Sequence, residues 1–77
     1  MKCKIIGWAK IKPKNSNDEC YVLHTAYDGE HGFNGSKTKV FFANLNTAEG
    51  LERVKLPVDA ELTKDAITNR LEVILYA

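Results

Sequence analysis

The sequence predicts an all-β domain, and three observations carry that prediction. Several segments alternate apolar and polar residues with period two; the same segments are rich in Val, Ile, Tyr, Phe and Thr; and clusters of Gly, Pro, Asn and Asp punctuate them. Helical signal is confined to one short stretch.

The first strand runs over residues 2–12. Cys3, Ile5, Gly7, Ala9 and Ile11 fall on one side, and Lys2, Lys4, Ile6, Trp8, Lys10 and Lys12 on the other, so a strict alternation places Trp8 between lysines on the outer row. Pro13 and the following NSND end it, because proline donates nothing to a ladder and Asn, Ser and Asp favour turns. The second strand, ECYVLHTAY, sets Tyr21, Leu23, Thr25 and Tyr27 on one face and Cys20, Val22, His24 and Ala26 on the other. Next, DGEHGFNGS holds three glycines in nine residues and reads as an exposed hairpin arm. KTKVFFANL forms the third strand, with Phe41 and Phe42 read as core residues.

In NTAEGLERVKL, Thr47 precedes Glu49 and Glu52 in the manner of a capping box, but Gly50 limits the stretch to one short helix or turn. A fourth strand is expected around residues 59–63, a turn within 64–69, and a last strand over 71–76. Five strands, a glycine-rich arm and at most one short helix make a single domain over residues 1–77. A small closed or half-open barrel removes the sheet edges best, and the element order fits the five-stranded OB-fold. An SH3-like barrel is the nearest competitor, and a four-stranded α+β domain follows if 59–69 is helical.

Hydrophobic residues make up 44% and charged residues 27% of the chain, the composition of an ordinary globular domain and not of a disordered one. No apolar run approaches the ~18 residues that span a bilayer, and no secretory signal opens the chain, so a cytoplasmic protein with no membrane partner is expected. At 77 residues the core is small enough that a partner subunit would help, which makes a homodimer an expectation from size. Cys3 and Cys20 are expected as free thiols. The net charge of +1 conceals segregation: residues 1–14 carry five lysines and no acid, whereas 15–35 carry four acids and neither Lys nor Arg. A local basic face attracts a polyanion, although lysines also serve simply to blunt an edge strand.

Catalysis needs an activated nucleophile, a tuned carboxylate pair or a metal. Cys20 and His24 are four residues apart on one strand, ~13 Å at 3.3 Å per residue, too far for one metal or one proton transfer. His31 reads as a solvated loop residue, and GEHGFNG lacks the lysine and the strand-to-helix context of a phosphate loop. The sequence therefore points away from an enzyme and calls for no cofactor or metal.

What stands out is aromatic residues interleaved with bases. Trp8, Tyr21, Tyr27 and Phe33 are the candidate stacking platforms, and Lys4, Lys10, Lys12, Lys14, Lys37, Lys39 and Arg53 the candidate phosphate contacts. Stacking on an aromatic ring contributes ~1–3 kcal/mol per base and tolerates any sequence. Packing in a core competes for these rings, Tyr21 above all. The order of features, a short basic strand followed by YVLHTAYD, FNGSKTKVFFAN and NRLEVI, resembles the gene V type of single-stranded DNA-binding protein of filamentous phages and mobile elements. That resemblance implies an OB-type barrel, a two-fold dimer and cooperative coating of single-stranded DNA, with Tyr21, Tyr27, Phe33 and the neighbouring lysines at the contact. The expected function is sequence-tolerant binding of single-stranded nucleic acid, DNA rather than RNA, in phage or mobile-element replication. The rival expectation is an accessory protein that binds a host protein through its arm and a strand edge.

Overall fold

A computed structural model describes every residue except Ser16, Gly29, Glu30, His31, Phe33 and Asn69. Expectations for His31 and Phe33 thus lie outside the described residues. Five strands form one antiparallel sheet: β1 (Lys2–Ile11), β2 (Cys20–Asp28), β3 (Ser36–Asn44), β4 (Val58–Lys64) and β5 (Leu71–Tyr76), in the order β3-β2-β1-β4-β5. The glycine-rich arm is the connection of the β2–β3 hairpin, with Gly32 and Gly35 at φ values of 87° and 91°. Both conformations suit glycine because a Cβ crowds the backbone there.

Because β1 is antiparallel to both β2 and β4, and β3 and β5 are antiparallel to those, β3 and β5 run parallel to each other. The sheet coils until these two edges approach within 8 Å between Cα atoms, yet they form no ladder. The result is the expected all-β, OB-like small barrel, left open along the β3–β5 seam. Met1 extends the β1–β4 ladder by exchanging both backbone bonds with Leu62, at 2.7 and 2.9 Å.

The core draws one row from each strand. Cys3 and Ile5 of β1, Tyr21 and Leu23 of β2, Ala43 of β3, and Val58, Ala60 and Leu62 of β4 are buried, with Leu71, Val73 and Leu75 of β5 packed against them. Ala48 and Leu51, 1% and 0% exposed, join this core from the β3–β4 connection. That connection holds only a single 3-10 turn, Leu51–Arg53, entered through Gly50 at φ 88°. Thr47 makes no capping box: its hydroxyl donates backward to the Asn44 carbonyl at 2.8 Å. The described residues from 59 to 68 form strand and turn and no helix, so the α+β alternative does not arise, and β4 extends one residue beyond the expected range at each end.

The alternation expected for β1 fails at one place. Ile5 pairs with Thr25 and Gly7 with His24, which leaves Ile6 as an extra, bulged residue. A bulge reverses the parity of everything after it. Trp8 and Lys10 therefore stand opposite Leu23 and Tyr21 on the core side, while Ala9, expected inside, is exposed. Only Cys3 and Ile5 of the expected inner row are buried.

Candidate nucleic-acid interface

The bulge decides the fate of several predicted contact residues. Tyr21 is 4% exposed, its ring meets Trp8 edge to face at 5.5 Å between centroids, and its hydroxyl donates to Glu52 Oε2 at 2.7 Å. A ring held in this way offers no face to a base, so Tyr21 is a structural residue, and Trp8 is half-buried beside it. Lys10 Nζ lies 2.9 Å from the same Glu52 oxygen. Hydrogen bonds from Lys10 and then Tyr21 hold the Glu52 carboxyl below its ordinary pKa, and the carboxylate in turn raises those of Lys10 and Tyr21. This network ties β1 and β2 to the 3-10 turn. Lys12 and Lys14 are exposed in the segment after β1.

On β3, Lys37 stands opposite Tyr27 and Lys39 opposite Thr25, whose fully buried hydroxyl donates to the Lys39 carbonyl at 2.8 Å. The Lys39 ammonium sits 5.2 Å from the centroid of Phe41. Adjacent strand residues face opposite sides, so Phe41 and Phe42 cannot both be core. Phe41 packs inward, and Phe42 is 62% exposed.

The predicted residues that do converge are Lys4, Tyr27 and Arg53. A cleft of about 580 Å³ is lined by Lys2, Cys3, Lys4, Tyr27, Asp28, Ser36, Asp59, Ala60 and Tyr76. A second, of about 430 Å³, is lined by Lys4, Arg53, Val54, Lys55, Pro57, Val58, Asp59, Tyr76 and Ala77. Lys4, Asp59 and Tyr76 line both, so the two clefts adjoin across these side chains and are taken together as one groove. It carries four basic side chains, Lys2, Lys4, Arg53 and Lys55, and two tyrosines, against the side-chain carboxylates of Asp28 and Asp59.

The groove follows from register. Lys2 and Lys4 stand opposite Glu61 and Asp59 on β4, and Tyr76 opposite Asp59 on β5, which places these side chains on the outward face of the sheet. Lys4 Nζ is 3.9 Å from Asp59 Oδ1, and both side chains are well exposed. A surface pair of this kind contributes little and leaves Lys4 able to exchange its partner. The Tyr76 hydroxyl donates to Glu61 Oε2 at 2.8 Å, which raises the phenol pKa and fixes a ring that is 52% exposed. Lys2, Lys55 and Tyr76 were not singled out by the sequence reading. Tyr76 ends an apolar run and reads there as strand alone; its opposition to Asp59 depends on pairing between strands.

Cys3 and Cys20 are free thiols, and burial raises the pKa of Cys3. No helix among the described residues is long and apolar enough to cross a membrane. No family model matches the chain, and comparison with curated proteins and with solved structures finds no match.

Proposed function

We propose that this protein binds single-stranded DNA without sequence preference along the groove between Tyr27 and Arg53. The observation that carries this reading is the meeting of the two clefts at Lys4 and Tyr76, which sets four cations and the exposed Tyr76 ring along one path. Phosphates meet Lys2, Lys4, Arg53 and Lys55, while a base lies against Tyr76; Tyr27, on the core-facing row of β2 and packed against the core, closes the end of the path. An OB-like barrel suits the task, because its outer face presents side chains from several strands to a ligand lying across them. The reading also carries a place in phage or mobile-element replication and a two-fold dimer, the latter to be tested by sedimentation of free and DNA-bound protein.

The test is anisotropy of a fluorescently labelled oligo(dT) at low salt. Wild-type protein is expected to bind, with Y76A weakened about tenfold, the loss of one stacked base. K4E and R53E should weaken binding of oligo(dT) and of a mixed-sequence strand alike. Absence of binding by the wild-type protein at low salt would sink the reading. Trp8 is a poor reporter here, because it is turned toward Tyr21.

A further inference from the structure

We propose that the open β3–β5 seam is a second binding site, which takes an acidic, extended polypeptide segment by strand addition to the edge of β3. The seam holds a cavity of about 570 Å³ that shares no lining residue with the groove. Its floor is apolar, formed by Phe41, Leu62 and Leu71, and its charged side chains are Lys39 and Lys64, with no carboxylate among its lining residues.

Two features select the occupant. First, β3 is nine residues long, lies at the edge of the sheet, and carries Val40 and Phe42 outward at 46% and 62% exposure. Edge strands with exposed apolar side chains are templates for another extended chain, and the backbone groups that β3 turns away from β2 are satisfied by a polypeptide at ladder spacing. Paired strands lie ~4.8 Å apart, so a segment inserted between two edges needs ~9.6 Å. β3 and β5 come within 8 Å, so no strand inserts between the two edges and the occupant pairs with β3 alone, beside a cavity that Lys39 and Lys64 line. Second, the charge is of one sign. A second copy pairing through the same edge would set like cations together, whereas carboxylates on the occupant complement them.

Period two then gives the recognised pattern. Residues facing inward alternate acid, apolar, acid, the first two over Lys39 and Phe41 of β3 and the last toward Lys64 of β4, which lines the same cavity, and the residues between them are apolar against Val40 and Phe42.

The probe is fluorescein-labelled acetyl-Glu-Val-Leu-Val-Glu-amide, with two controls: the Lys-Val-Leu-Val-Lys counterpart, and the acidic peptide N-methylated on alternate amides in each of the two registers. The acidic peptide is expected to bind the intact protein and to lose at least tenfold in affinity to K39E, to K64E and to N-methylation in one register. K64Q, which removes charge from an exposed hairpin end without reversing it, should lose less than K64E while retaining the wild-type melting curve. Amide shifts on titration should fall at residues 39–42, 62–64 and 71. Equal binding of the lysine peptide, indifference to both N-methylated forms, or indifference to K39E and K64E together would overturn the proposal. So would displacement of the peptide by oligo(dT) combined with an equal loss of oligo(dT) affinity in K64E, which would make the seam part of a nucleic-acid path.

Discussion

At the scale of single residues, Glu52 and Thr25 do more than their surroundings suggest. Glu52 is exposed on a 3-10 turn, yet it accepts hydrogen bonds from both Lys10 and Tyr21. The folded protein depresses the Glu52 pKa, so its contribution to stability is present above the unfolded carboxyl value and is lost as pH falls through the folded one. The raised pKa values of Lys10 and Tyr21 act at the other limit: their contribution is present below the unfolded values and lost as pH rises through the folded ones. E52Q is therefore expected to be less stable than wild type near neutrality, and the difference should close on acidification, where the protonated carboxyl resembles the amide. Urea midpoints across pH check this, and a gap that persists at acid pH would count against it. Thr25 is the one buried polar residue among the described residues, donating to the Lys39 carbonyl. T25V keeps the shape and removes the donor, which should cost ~1 kcal/mol in the urea midpoint with an unchanged slope.

At the scale of elements, two glycines separate backbone demand from mere smallness. Gly50 enters the 3-10 turn at φ 88°, and a Cβ built there meets nothing within 4 Å. The cost of G50A is thus conformational, ~1–2 kcal/mol, and falls on the turn that seats Leu51 and Glu52. Gly7 follows the bulge with equally open space and no positive φ, so G7A should lie within ~0.5 kcal/mol of wild type. Thermal melts of the two variants separate them, and equal losses would show that the turn does not constrain Gly50. The same bulge marks where the sequence stopped being readable. The strands, the arm and the short helical turn follow from local alternation and turn chemistry. The face of Trp8 and Lys10 depends on one extra residue at Ile6, and nothing local distinguishes a bulged isoleucine from a paired one. Tyr21 fell on the side expected for it, but that side is core, and its partner Glu52 is 31 residues away in the chain.

At the scale of the whole molecule, charge sorts the surface into regions that the net value of +1 hides. Sequence segregation pointed to residues 1–14 as the basic face, yet folding divides those lysines. Lys10 turns to Glu52, Lys12 and Lys14 extend beyond β1, and only Lys2 and Lys4 enter the groove, where Arg53 and Lys55 join them from a distant segment. This division makes a quantitative prediction. If the four groove cations each displace one counterion from a single strand, log K should fall with log salt at a slope of about −3, from ~0.7 per phosphate contact. A path recruiting every basic residue named from the sequence would be steeper, near −5. K55E should flatten the slope by about one contact, because Lys55 lines the groove, whereas K12E should leave it nearly unchanged, because Lys12 does not. A titration from low to moderate salt with oligo(dT) distinguishes the two paths. A slope near −5, or a larger effect of K12E than of K55E, would move the strand off the groove and back to the N-terminal lysines.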